Sequence, residues 1–124
     1  MSLQLAAGLS HYQRRQYDSC RSLLEGLLGQ SPSEWRAHYL MGLLDYNGQD
    51  FDRAERSLLA ALRFVPPQKQ CRATIYLALG MTLERQGEYA RSKQHFITVL
   101  RLDSTSVAAR NGLDRLTALT IIEP

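Results

Sequence analysis

The sequence predicts an all-α chain of about seven helices, built as consecutive helical hairpins. Three observations carry that reading. A spaced set of residues recurs with a step of 34 and then 38 residues. Apolar residues fall three and four apart over stretches of roughly 12 to 15 residues, the period of a helix with one buried face. Only eight glycines and four prolines occur in 124 residues, too few for a many-turned β chain. A composition of 44% hydrophobic and 22% charged residues is that of an ordinary folded domain.

The recurring set begins with Gly8, Tyr17, Cys20, Leu24, Leu27, Leu28 and Pro32. It returns as Gly42, Phe51, Ala54, Leu58, Ala61, Leu62 and Pro66, and again as Gly80, Tyr89, Ser92, Phe96, Val99, Leu100 and Ser104. Each unit therefore holds two amphipathic helices. Helices are expected at about 3–14, 17–29, 33–47, 51–64, 70–86, 89–102 and 104–118. In each pair, the glycine of the first helix lets the backbone of the second approach. The small residue at Cys20, Ala54 or Ser92 leaves room at the same crossing.

Pro32 and Pro66 close their units because proline cannot continue a helix interior. Ser31-Pro32-Ser33-Glu34 reads as a capping box with proline at the first helical position. Asp50-Phe51-Asp52 opens the fourth helix with acids that suit its dipole. The four extra residues of the longer step fall in Pro66-Pro67-Gln68-Lys69-Gln70, read as a longer turn. The stretch from Ser104 to Leu119 reads as a polar-backed cap, with residues 120–124 packing back on it or fraying.

The third unit is the clearest: Tyr76-x-x-Leu79-Gly80-x-x-Leu83, then Gly87-Glu88-Tyr89, then Ser92-x-x-x-Phe96. This resembles the tetratricopeptide repeat (TPR), whose signature runs aromatic, Leu-Gly, large, then small-x-x-x-aromatic and proline. The resemblance covers residues 3–104 as one domain within 1–124, with repeats at 1–34, 35–68 and 73–106 and a capping helix over 104–119. Departures are Gln4 and His11 in the first unit, His38 and Asp45 in the second, and Asp103-Ser104 in place of proline in the third. The resemblance implies a right-handed superhelix, an α-solenoid whose first helices line a concave, protein-binding groove.

The groove stripe that follows is Leu5, Leu9 and Tyr12, then Tyr39, Leu43 and Tyr46, then Leu77, Met81 and Glu84. Each triplet steps by four and three residues along one helical face. Arg36, Asn47 and Arg85 flank it, with Asn111 and Arg115 reaching in from the cap. Tyrosine and arginine around an apolar centre is the composition of a binding surface. Two other readings of the stripe stand beside this one. Gln4, His11, His38 and Asp45 fall on the face expected to pack inward, so the first two helices could be rotated with the stripe in the core. Self-association could also cover it. Family members that clamp a C-terminal carboxylate use basic and amide residues where this chain has Leu5, Leu9, Leu40, Thr74 and Ala78, so the resemblance implies no such clamp here.

The implied function is a non-catalytic module binding a protein or peptide segment with apolar anchors. A secretion chaperone holding a hydrophobic client, or a regulatory domain of a larger enzyme, are the alternatives. Net charge is +3 and pI about 9.1, but the basic residues are dispersed among 12 acids, which argues against a nucleic-acid partner. His11, His38 and His95 are isolated from one another and from Cys20 and Cys71, so no metal or other cofactor is expected. No phosphate loop or nucleophile elbow occurs, and the pairs Glu84/Glu88 and Asp50/Asp52 read as solvated helix ends. His11 and Asp45 occupy equivalent places and are expected to share a structural hydrogen bond. No apolar run is long enough for a membrane span, and the two unpaired cysteines favour the cytoplasm.

Overall fold

The computed structural model describes residues 3–122, with side chains described to residue 119. Among these residues are seven α-helices and no strand. They are α1 (Leu3–Gln13), α2 (Tyr17–Gln30), α3 (Trp35–Asn47), α4 (Phe51–Phe64), α5 (Lys69–Arg85), α6 (Tyr89–Leu102) and α7 (Val107–Ile122). The chain divides into two compact units, Met1–Val65 with α1 to α4 and Pro66–Pro124 with α5 to α7. The expected packing of residues 120–124 falls on side chains outside the described residues.

All three hairpin turns are built alike. The carbonyls of His11, Asp45 and Leu83 accept from the N–H groups of Gln16, Asp50 and Glu88 at 2.8, 2.9 and 2.9 Å. One residue inside that loop, Tyr12, Tyr46 and Glu84 accept from Arg15, Gln49 and Gly87 at 3.0, 3.0 and 3.1 Å. These paired bonds form a Schellman motif, which satisfies carbonyls that a helix end leaves without a partner. The motif needs a left-handed residue, and Arg15 (φ 61°), Gln49 (φ 63°) and Gly87 (φ 80°) supply it. Arginine and glutamine there cost roughly 1 kcal/mol each. Nothing in the residue types at 15 and 49 signals the turn.

Three expected helix starts shift, and the last helix runs on to Ile122. Glu34 N–H bonds the Ser31 carbonyl at 3.1 Å, closing a turn over Pro32. The capping box is therefore absent: Glu34 itself caps α3, accepting from Arg36 N–H at 3.3 Å, and the helix starts at Trp35. Lys69 and Gln70 form the first turn of α5, which shortens the link after α4 to residues 65–68. The last helix starts at Val107, because Asp103 Oδ1 accepts from Thr105 N–H (3.0 Å) and Oγ1 (2.6 Å) and holds a local turn. Ser106 Oγ then caps α7 by accepting from Ala109 N–H at 3.2 Å.

In the first unit Leu5, Cys20, Leu24, Leu27, Ala37, Leu40, Met41 and Leu44 form a continuous core. A Cβ at Gly42 would lie 2.7 Å from Leu58 Cγ and 3.4 Å from the Ala54 carbonyl. The space left by this glycine is thus filled mainly by a side chain, a correction to the expected backbone approach. In the second unit the same is clearer still. The fully buried Phe96 ring sits where a Cβ at Gly80 or Gly112 would come within 2.8 and 2.6 Å. The small residues at the crossings also bond across them: Cys20 Sγ donates to the Gly8 carbonyl at 3.1 Å and Ser92 Oγ to that of Gly80 at 2.6 Å. Burial pushes the Cys20 thiol up, so it stays protonated.

His11 and Asp45 do not pair. His11 Nδ1 meets Gln16 Oε1 at 2.6 Å, whereas Asp45, 3% exposed, accepts from Arg21 of α2 at 2.8 Å. A buried carboxylate must be paired to remain charged, and a guanidinium on the neighbouring helix meets that need better than an imidazole.

Candidate functional site

In the first unit the residues of the expected stripe come from α1 and α3. Leu9, Tyr12, Tyr39, Leu43 and Tyr46 are half-buried, and Arg36 and Asn47 are exposed. Leu5 is the exception: at 2% exposure it belongs to the core beside Cys20 and Leu24. Rotation describes the start of α1, where Gln4 is exposed and Leu5 buried, but not α3, where Asp45 is buried and Tyr39, Leu43 and Tyr46 are half-buried. His38 of α3 stacks on Phe64 at 5.9 Å while its Nε2 reaches the Pro32 carbonyl at 2.7 Å.

The tyrosines of this face are held in place. Asn47 Nδ2 donates to the Tyr12 hydroxyl at 3.0 Å, tying α3 to α1. The Tyr12 ring lies on Tyr17 (5.7 Å), and the equivalent Tyr46 ring meets the edge of Phe51 (5.6 Å). Burial, with Tyr12 nearby, raises the Tyr39 phenol above its usual value, so it remains a hydrogen-bond donor. Arg36 covers the Trp35 ring at 5.1 Å. The result is an apolar face around Leu9 and Leu43 with phenol and amide groups at its edge, suited to burying apolar side chains.

In the second unit Leu77 is half-buried and Met81 is 37% exposed on α5. Glu84 is half-buried, while Arg85 and, on α7, Asn111 and Arg115 are exposed. Arg115 grips Glu84 with two bonds, Nε to Oε2 and one terminal nitrogen to Oε1, each 2.9 Å. Beside Leu77 opens a cavity of about 310 Å³, walled by Gln70, Ala73 and Thr74 of α5, Val99 of α6, and Asp103 and Ser106 of the turn before α7. Of its lining residues only Leu77 is legible in the sequence as a site residue, because the rest come together from three elements with no common spacing.

The five positions that a carboxylate clamp would use carry no cation. Leu5, Leu40 and Ala78 are buried, Leu9 is half-buried, and Thr74 donates to the Gln70 carbonyl at 2.9 Å. Among the described residues no three His, Cys, Asp or Glu side chains gather as metal ligands. Nor is any helix among them long and apolar enough to cross a membrane.

Residues 5–69 match the family model described as tetratricopeptide repeat. No curated protein matches the sequence. Among solved structures, the chain is similar to the first TPR of Spaghetti (RPAP3) bound to the HSP90 peptide SRMEEVD. Identity is 14%, with 96% of this chain and 91% of that one covered and a TM-score of 0.87. It is similar to the second TPR domain of human RPAP3 in complex with the HSP70 peptide SGPTIEEVD (15% identity, 92% of each chain, TM-score 0.81). It is also similar to the Yersinia enterocolitica type III secretion chaperone SycD in complex with a peptide of the translocator YopD (13% identity, 94% and 92% covered, TM-score 0.82). At these identities the likeness is one of fold.

Proposed function

The chain belongs to the tetratricopeptide repeat family, and on that premise we propose that it is a non-catalytic module binding a protein segment through apolar anchors. The carrying observation is the half-exposed face of Leu9, Tyr12, Tyr39 and Leu43, braced by the Asn47–Tyr12 bond. A partly exposed apolar surface stiffened by hydrogen bonds loses little entropy on binding. Met81 and Leu77 offer a similar surface on the second unit, with Arg36, Arg85, Asn111 and Arg115 as polar surroundings. Tyr46 and Glu84 complete the two faces.

The similar folds carry bound peptides. The RPAP3 domains hold peptides ending in EEVD, and SycD holds a translocator peptide. Leucine, threonine and alanine at the five clamp positions of this chain disfavour an acidic, EEVD-like end and favour apolar anchors. A chaperone that shelters a hydrophobic client is therefore the second reading, supported by the exposed thioether of Met81, a side chain that adapts to varied apolar partners. Two free cysteines are consistent with the cytoplasm.

The test uses peptides selected from a random display library against the full chain. Tyr39→Ala should weaken the selected peptide by about thirtyfold, the loss expected of an aromatic anchor worth roughly 2 kcal/mol. High salt should leave most of the affinity intact. Undiminished binding by both Tyr39→Ala and Leu43→Ala would remove the face from consideration.

A further inference from the structure

We infer that the cavity beside Leu77 is a subsite for a basic side chain, lysine or arginine, of the bound segment. This rests on the reading of the α5 face as partner-binding and gives that partner a second chemical requirement. The lining joins apolar residues, buried Ala73 and Val99 and half-buried Leu77, with the polar residues Gln70, Thr74, Asp103 and Ser106. Asp103 is the one charged group in the lining. An occupant must match both kinds of residue, with an aliphatic stem for the apolar ones and a cationic head for the carboxylate.

The carboxylate is prepared for such a guest. Its Oδ1 is occupied by the Thr105 N–H and hydroxyl, while a carboxylate has lone pairs on two oxygens. The same two Thr105 bonds hold Asp103 below the usual carboxylate range, so it is ionised at neutral pH. Arg110 on α7 is directed elsewhere, donating to the Ser104 carbonyl at 3.4 Å. A purely apolar guest would shed water from the carboxylate with no replacement, and an acidic guest would be repelled. At about 310 Å³ the cavity has room for the four-carbon stem of lysine.

The experiment extends the library selection. Peptides enriched on the full chain should carry a lysine or arginine at a constant spacing from their apolar anchors. A selected peptide and its Lys→norleucine analogue are then titrated against the wild type and Asp103→Asn. Asparagine keeps an acceptor for both Thr105 bonds, so the start of α7 is preserved. Each change alone should weaken binding by about threefold to fivefold at low salt, the range of an exposed ion pair. Together they should cost no more than either one, and the effect should shrink in high salt. Should Asp103→Asn fold poorly, amide shifts of Gln70 and Ser106 that appear with the lysine peptide and fade with norleucine report the same contact. Enrichment of apolar anchors with no basic position, fully multiplicative effects, or shifts away from these amides would overturn the subsite and leave the groove standing. Selection of no peptide at all would overturn both.

Discussion

The two units solve one packing problem with opposite chemistry. In the first, neighbouring first helices are tied by a neutral bond, Asn47 to the Tyr12 hydroxyl. In the second, α5 and α7 are tied by the charged, two-pronged Arg115–Glu84 pair, and Glu84 stands at the repeat position of Tyr12. Deeper down the polarity is reversed. The first unit holds the part-buried Arg21–Asp45 ion pair between α2 and α3. The second carries Leu83 at the place of Asp45 and packs α7 over the Phe96 ring, with Gly80 and Gly112 making room on either side. The backbone frame of turn and crossing is common to both units, so the chemistry of the inter-helix contacts is free to vary.

The largest effect should come from the aromatic wedge. Phe96→Ala is expected to cost about 3–5 kcal/mol of stability, because glycine on both sides leaves no side chain that can collapse into the void. Denaturant midpoints and slopes measure this. A loss below about 1 kcal/mol would show that the second unit is not organised around the ring.

Next comes the part-buried ion pair. Asp45→Ala strands the Arg21 guanidinium, one of whose nitrogens is already buried without a hydrogen-bond partner, at a cost of about 1–3 kcal/mol. Giving the first unit the apolar solution of the second, with Asp45→Leu and Arg21→Leu together, should restore much of that loss or exceed it. A double-mutant cycle followed by thermal unfolding decides whether the pair stabilises the interface or only specifies it. Additive single losses would mean that the two side chains act independently.

The smallest effects belong to the shared turn. Gln49→Gly should stabilise the protein by up to about 1 kcal/mol, and Gly87→Gln should destabilise it by a similar amount, since only glycine occupies the left-handed region without a Cβ penalty. Opposite signs are the point of the test. Two changes of the same sign would break the equivalence of the turns. Asp50→Ala, which removes the carboxylate accepting from Arg53 N–H at 3.3 Å, should cost about 1 kcal/mol.

Leu5 shows where sequence reading of the binding face stops. Leu5, Leu9 and Tyr12 share a helical stripe, yet the first joins the core while the others are half-exposed. A stripe places side chains on one side of a helix without telling which part of that side a neighbour covers. The cavity beside Leu77 was illegible for a related reason, since Asp103 and Ser106 reach it only through the turn before α7. Asp45, conspicuous as a charge on an inward position, did announce that something must neutralise it. Its partner on α2 lies 24 residues earlier, at no spacing that marks the pair.

By itself the sequence determined the number and order of the helices, the repeat, and the small residues at each crossing. These follow from periodicity and side-chain volume, which act over a few residues or recur at a constant step. The tertiary structure decided which first-helix residues stay open, which group neutralises Asp45, and what fills the space beside each glycine. Those outcomes depend on contacts between helices distant in the chain, where shape and charge are matched only once the helices have packed.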